Sequence, residues 1–518
     1  MSVLGSTRLT PFYGRFCAIG QGQRVVVKFW EAEAPSGTMP RMSSRLSSVL
    51  LAATLLASAT GLLRAQAPAP AAQATVTPSQ PASLDATALQ QRVDEVIAGH
   101  MKVSGFSGTV LLAKDGKPLV AKGYGYANVE WQIPNSPTTK FRIGSITKQF
   151  TSMLVMQLRE QGKIKLEDSM CVYVTPCPDA WKPVTIHHLL THTSGIPTYT
   201  AIPAWREINM VPKTTDQIIA FFRDIPLQWV PGEKYAYNNS GYFLLGVVIE
   251  KITGKKYEQA LQEMILTPLG LRDTGYDWSK AILPQRASGY SGNGATLTNA
   301  AALDMQQPYS AGALYSTVGD LLKWDQALYT EKLLPEAAKR VMWTPFRDNY
   351  AYGWSIVEPA AGVFGGYRRI AHSGGINGFS AMIVRLPDPK VTVIVLGNNE
   401  AASAGNVARD IAAIYFGQKY VVPSMPAAVK VDPALLDQYA GTYEVRPGAV
   451  LTVTRQGGNL VIQPANGRPL EVLPASDTRF FAVTPPVTLT FFKGADGKVT
   501  HVVIVQGGAE TQAKRIGG

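Results

Sequence analysis

The chain has 518 residues, 46% of them hydrophobic, more than one ordinary domain needs and enough to bury a sizeable core. Its net charge is +12, but the basic residues are scattered, with no Lys/Arg block and no basic helix face. That leaves a nucleic-acid or membrane-surface role unsupported.

Residues 1–41 show neither a signal pattern nor a domain pattern and read as an over-extended N-terminus, with translation expected to begin at Met42. Arg41 and Arg45, the apolar run Val49 to Leu63 and Ala65-Gln66-Ala67 then form a basic region, an apolar region and a small-residue cleavage site. Residues 42–67 are therefore expected to be a signal peptide, and the protein to be periplasmic or secreted. Arg64 and Pro68 are atypical there, so an uncleaved anchor is the alternative. Residues 68–86 are an Ala/Pro-rich linker. Cys171 and Cys177 lie six apart in a Pro-containing loop and could close a small disulfide in an oxidising compartment; two unpaired thiols are the alternative.

Thr87 to Ala98 predicts a helix. Phe106 to Ala113 alternates like a strand, Asp115-Gly116 supplies a turn, and Pro118 to Gly125 returns. Gln149 to Leu158 carries no charge and almost no wet face, which predicts a helix buried in a large domain. From about Asp168 to Thr330 the pattern is mostly helical and loop-rich. Strands resume at Arg368 to Ala371, Phe379 to Leu386 and Val391 to Leu396, and a helix from about Ser403 to Phe416 closes the unit. Strands at both ends with helices between them imply an α+β unit over 87–420: one antiparallel sheet flanked by helices, its first and last strands meeting.

Ser145 and Lys148 stand at the start of the buried helix. Positions i and i+3 are neighbours on one helix face, burial disfavours a charged lysine, and a serine hydroxyl needs such a partner to become a nucleophile. Tyr237 and Asn239 lie on a loop before an apolar helix, where side chains can converge on a cleft. A tyrosine buried near cations is expected to lose its proton more easily and to relay protons for the serine. His372-Ser373-Gly374-Gly375 reads as the end of one strand entering a hairpin, with glycines that let a substrate backbone approach. His188 and His192 have the i, i+4 spacing of a zinc helix, but Leu189 stands where a zinc protease helix needs Glu and no third ligand is evident. A helix-capping, cleft-supporting role is favoured over metal, and no cofactor is expected.

The order Ser145-x-x-Lys148, Tyr237-x-Asn239, His372-x-Gly374 resembles the penicillin-recognising serine hydrolases: the class C β-lactamase, D-alanyl-D-alanine carboxypeptidase and esterase group. Phe141-Arg-Ile-Gly-Ser-Ile-Thr-Lys, Leu189-Leu-Thr-His-Thr-Ser-Gly-Ile-Pro197 and Tyr352-Gly-Trp354 carry the same resemblance. It implies that Ser145 is acylated, that Lys148 and Tyr237 form the proton relay, and that Asn239 orients Lys148 and the substrate amide. It further implies an oxyanion hole from the backbone N–H groups of Ser145 and Gly375, with Ser373 and Gly374 along the substrate. His372 stands where β-lactamases usually carry Lys, which favours ester or D-amino-acid peptide substrates over β-lactams. The alternatives are a class C-like β-lactamase and a non-catalytic penicillin-binding cell-wall sensor. An α/β-hydrolase is disfavoured, because no Gly-x-Ser-x-Gly elbow occurs.

After a linker at 421–431, residues 432–518 show short strands separated by turn signals at Gly457-Gly-Asn, Asn466-Gly467, Pro485-Pro486, Gly494-Ala-Asp-Gly497 and Gly507-Gly508. This spacing predicts an antiparallel meander curling into a small all-β barrel, and it looks like the lipocalin-like modules that follow some of these hydrolases.

Overall fold

Strand β1 (Gly108–Lys114) shows why a sheet forms here: its side chains alternate between two separate apolar cores, Val110 and Leu112 in one, Leu111 and Ala113 in the other. The computed structural model describes residues 77–518, apart from 294–295, 447, 466, 468, 483–486, 507–508 and 518. The N-terminal extension, the signal segment and most of the 68–86 linker lie outside the described residues, as do the turn residues Asn466, Pro485, Pro486, Gly507 and Gly508.

Asp115 and Gly116, with φ of 51° and 72°, turn the chain tightly into β2 (Lys117–Tyr124). Much later the chain returns to the sheet with β3 (Ser355–Val357), β4 (Arg369–Ile376), β5 (Phe379–Leu386) and β6 (Val391–Gly397). The strand order is β3-β4-β5-β6-β1-β2, with every neighbouring pair antiparallel. First and last strands thus meet, Gly108 facing Gly397 and Lys114 facing Val391. Every residue of β6 is buried, as befits a strand covered on both faces.

Six helices support the sheet and the cleft beside it: α1 (Ala86–Ser104), α2 (Thr147–Glu160), α3 (Ile186–Leu190), α4 (Asn239–Thr253), α5 (Val318–Ala327) and α6 (Ala404–Tyr415). Helices α1 and α6 cover one sheet face, where Val93, Val96 and Ile97 share a core with Val407, Ile411 and Ile414. The helices between β2 and β3 cover the other. There α2 runs through the larger core with Phe150, Met153, Leu154 and Val155 fully buried.

Three details depart from the sequence reading. Strand β4 continues through His372-Ser-Gly-Gly to Ile376, and the turn is Asn377-Gly378. Glycine weakens a strand, but a Cβ on Gly374 would sit 2.0 Å from the Ile143 carbonyl oxygen, so the strand survives there because only glycine lets that backbone approach. Helix α3 ends at Leu190, so His188 and His192 do not share one helix face: His192 adopts a left-handed φ of 58° two residues beyond it. A helix, Pro433–Tyr439, precedes the C-terminal strands, with Asp432 accepting the Ala434 N–H at 2.9 Å and Pro433 at its first position.

The C-terminal strands, from Gly441–Arg446 to Ala509–Gly517, close into an eight-stranded antiparallel barrel, with Tyr443 facing Arg515 at the seam. Its interior is filled by side chains such as Leu451, Leu460, Val472, Phe480, Leu489 and Val502, a core separate from those of the sheet. A chain truncated after Met425 is therefore expected to fold, with cooperative thermal unfolding and the near-UV dichroism of its buried tryptophans. Loss of cooperativity on truncation would show that the barrel completes the larger unit.

Candidate active site

Ser145 sits in a single 3-10 turn (Gly144–Ile146) that runs directly into α2, so the serine and Lys148 face the same way, one turn apart. Lys148 is fully buried, and its Nζ lies 2.9 Å from Ser145 Oγ, 2.9 Å from Asn239 Oδ1 and 2.8 Å from the Ala311 carbonyl. Burial drives its pKa well below the ordinary lysine value. A neutral amine has two N–H donors and one lone pair. Two of its neighbours are carbonyl oxygens, which can only accept, so the two donors go to Asn239 and Ala311. The lone pair is left aimed at the serine hydroxyl. The backbone of Lys148 is closely packed as well: a Cβ on Gly353, at φ 77°, would lie 2.7 Å from the Lys148 carbonyl oxygen.

Asn239 is held in turn. Its Nδ2 donates to Thr200 Oγ1 at 3.1 Å and its backbone N–H to Thr198 Oγ1 at 3.1 Å. The preceding Asn238 caps α4, accepting the Gly241 N–H at 2.9 Å, and donates to the Ile196 carbonyl. Segment 191–200 is thus a cradle for the loop that carries Tyr237.

His192 is the centre of that cradle. Its carbonyl accepts the Ala236 N–H at 3.0 Å and its ring Nδ1 accepts the Asn238 N–H at 3.0 Å, so the residues on either side of Tyr237 are both pinned to one residue. The ring packs 4.4 Å from the Tyr237 ring. His188 works differently: its Nδ1 accepts the Thr185 N–H at 3.2 Å, closing a capping box on α3. Each histidine therefore has a backbone partner of its own.

Tyr237 keeps 38% of its surface open, yet the rings of His192, Tyr350 and His372 crowd the rest of it at 4.4, 6.3 and 6.1 Å. Desolvation raises its pKa, and hydrogen bonding with Ser145 opposes this only partly. The expectation of an easily lost phenol proton is thus reversed, because the ring's own desolvation outweighs the help its hydrogen bond with Ser145 gives to ionisation. Tyr237 stays protonated and is a proton donor.

His372 is 5% exposed and faces inward, its ring bonded at both nitrogens. Nδ1–H donates to the Ser373 carbonyl at 2.6 Å, and Nε2 accepts from the Tyr350 hydroxyl at 2.9 Å. Burial, before anything else, pushes its pKa down to about 4, against the Ser373 hydrogen bond. At neutral pH it carries no charge.

Along β4 the exposed side is presented by Ser373 and Gly375, with His372 and Gly374 buried between them. The two-residue turn closes on the pair Ile376–Phe379, so even-numbered residues of β4 exchange hydrogen bonds with β5. Ser373 and Gly375 turn their backbone groups to the open edge instead. A Cβ on Gly144 would lie 3.0 Å from the Gly375 nitrogen, which brings that amide beside the Ser145 turn. Gly374 meets Ile143 rather than the cleft. Elsewhere, Cys171 and Cys177 are joined in a disulfide with Cα atoms 5.4 Å apart.

Sequence reasoning missed Ala311, whose contribution is a backbone carbonyl that any residue could supply, and Tyr350, whose tie to His372 depends on a distant loop. His192 lay inside a quoted motif; its φ and its clamp on the Tyr237 loop did not show.

Comparison with known proteins agrees in extent with these elements. The family model described as Beta-lactamase matches residues 93–416, and one described as a domain of unknown function (DUF3471) matches residues 425–515. The chain is 30% identical over 437 residues to penicillin-binding protein 4* of Bacillus subtilis (strain 168), covering 79% of this chain and 95% of the relative. A solved structure of an octameric penicillin-binding protein homologue from Pyrococcus abyssi superposes with a TM-score of 0.56 at 26% identity, over 82% of this chain and 99% of that one. A D-stereospecific amidohydrolase from Streptomyces sp. superposes with a TM-score of 0.54 at 26% identity, over 65% and 100%.

Two outcomes are expected of the buried histidines. Between about pH 4 and 6.5 the unfolded state binds a proton at His372 that the native state does not, so stability rises with pH and falls on acidification through that window. The contribution amounts to roughly 3 kcal/mol. His372→Asn should flatten this part of the profile of unfolding free energy against pH, measured by urea denaturation; an unchanged slope would place the titration elsewhere. His192→Ala should slow acylation by about one to two orders of magnitude through misplacement of Tyr237. His192→Asn tolerates the left-handed φ and can still accept the Asn238 N–H, so it should recover much of the rate. Equal rates in both variants would remove the clamp from the mechanism.

Proposed function

Because this chain belongs to the β-lactamase family, we propose that it is an exported serine hydrolase that cleaves ester or D-amino-acid amide bonds through an acyl-enzyme on Ser145. The observation that carries the reading is the fully buried Lys148 amine, 2.9 Å from Ser145 Oγ and within hydrogen-bond reach of the Asn239 and Ala311 carbonyl oxygens, with burial lowering its pKa. A non-catalytic sensor has no need of such an arrangement.

The steps follow from the geometry. Lys148 accepts the hydroxyl proton as Ser145 Oγ forms a bond to the substrate carbonyl carbon, and the carbonyl oxygen becomes an oxyanion facing the Ser145 and Gly375 N–H groups. As the intermediate collapses, the bond to the leaving alcohol or amine breaks. Protonated Tyr237 supplies that group's proton and is replenished from Lys148. Water then attacks the ester on Ser145 by the reverse relay, releasing the acid and restoring the serine. Asn239 holds Lys148 and can accept the N–H of a substrate amide once its Oδ1 is shared.

D-Amino-acid amides are included because of the likeness to the D-stereospecific amidohydrolase. Export rests on the composition of residues 42–67. A second reading, β-lactam hydrolysis, is disfavoured by His372. The site's position for a cation holds a buried neutral ring bonded to Tyr350, and it offers nothing to a β-lactam carboxylate.

Intact-mass spectrometry after incubation with a short-chain aryl ester should show an acyl adduct on the wild type and none on Ser145→Ala, which should fold normally. An adduct on the variant would end this mechanism. For turnover, kcat/KM for the ester should exceed that for benzylpenicillin by at least about tenfold, or ~1.4 kcal/mol of transition-state stabilisation. Matching or faster penicillin turnover would promote the β-lactamase reading.

A further inference from the structure

A cavity of about 680 Å³ lies next to the catalytic edge, lined by Arg142, Lys280, Arg286, Asn377 and Phe379 among others. Three cations line it, and among the described residues no carboxylate does. Asp277, only 1% exposed, lies behind it. Its Oδ2 accepts from Arg142 Nε and its Oδ1 from Arg286 Nη1, both at 2.6 Å. One carboxylate therefore cancels one of three positive charges and fixes both guanidinium groups in place. Each guanidinium gives it a single nitrogen, and the remaining N–H donors are available to a ligand. The Arg142 guanidinium also lies over the Phe379 ring, 5.8 Å from its centroid, which stiffens the wall it shares with the turn.

The cavity's place along the cleft follows from chain connectivity. Arg142 is three residues before Ser145, within about 10 Å even if fully extended. Asn377 is two residues past Gly375 on the same strand and turn. The opposite direction along β4 leads to His372, whose ring lies 6.1 Å from that of Tyr237. The leaving group must sit beside the residue that protonates it, so it occupies the Tyr237 and His372 end. The acyl group then runs the other way, past Gly375 towards the cationic cavity.

We propose that this cavity is an acyl-side subsite for a carboxylate, so that the preferred substrates carry an acidic group on the acyl chain, a few atoms from the scissile carbonyl. This rests on the acyl-transfer reading above but makes a separate demand on the protein. The charge logic of the cleft is then divided: neutral where the leaving group departs, positive where the acyl chain ends.

Two probes test it independently. Glutarate is titrated calorimetrically into Ser145→Ala, which needs no turnover, and kinetics are compared for mono-p-nitrophenyl glutarate and p-nitrophenyl butyrate on the wild type. Glutarate should bind, more weakly in 0.5 M NaCl, and the glutarate ester should show a KM about five- to tenfold lower than the butyrate ester. Arg286→Gln should abolish glutarate binding and bring the two esters level. Lys280→Glu, a change at an exposed side chain with no buried ion pair, should do the same in part and guards against misfolding of the first variant. Turnover of both esters with equal KM, or glutarate binding that neither variant weakens, overturns the subsite while leaving the acyl-transfer reading intact. Glutarate binding lost in both variants, with neither ester hydrolysed, would uphold the subsite and sink that reading instead.

Discussion

The site depends on a buried amine. Lys148 has no exposed surface, and a charged ammonium there would face a desolvation cost that no carboxylate offsets: the oxygens within reach belong to Ser145, Asn239 and Ala311. Losing the proton costs less, and it turns a structural liability into a base. The same burial sets the state of its neighbours. Desolvation raises the pKa of Tyr237, which keeps its proton, and lowers that of His372, which stays uncharged. Four polar groups sit together with no formal charge among them, poised to develop charge only as a substrate reacts.

Such a cluster needs rigid support, and the chain supplies it from segments far apart in sequence. The 191–200 stretch holds the Tyr237 loop by backbone and side-chain bonds, the short helix Tyr309–Gly312 brings in the Ala311 carbonyl, and the loop containing Tyr350 satisfies His372. His192 accepts an unfavourable φ where it bonds the residues on either side of Tyr237. Strain of about 1 kcal/mol or more at one residue is tolerable when it fixes a catalytic phenol.

The parts of this design that were legible in the sequence obey local rules. Ser145 and Lys148 are related by helical spacing, the alternation from Phe106 to Ala113 announces a strand, and Asp115-Gly116 announces its turn. The C-terminal barrel was legible for the same reason, since turn signals at regular intervals are local. What escaped depends on tertiary approach. The extension of β4 through two glycines is set by Ile143 pressing on Gly374, the helix at Pro433–Tyr439 is a short exception within a β-rich segment, and the pKa of His372 is a property of burial alone. The direction of the Tyr237 shift is hidden from sequence because it turns on how deeply the packed rings around the phenol desolvate it.

The same distinction separates the two ends of the cleft. The neutral end is written in contiguous motifs, so a family resemblance finds it. The cationic cavity is assembled from Arg142, the 280–286 loop and Asn377, and becomes visible only when Asp277 is seen to hold two guanidinium groups side by side. A buried carboxylate bridging two arginines would on its own be read as a staple between β-strand and loop, and it is one. What distinguishes it is the surplus of donors. Asp277 occupies one nitrogen of each guanidinium, and the cavity opens onto both side chains rather than being filled by apolar ones. On the proposal above, substrate choice in this protein is set by the paired guanidinium groups as well as by the residues that perform the chemistry.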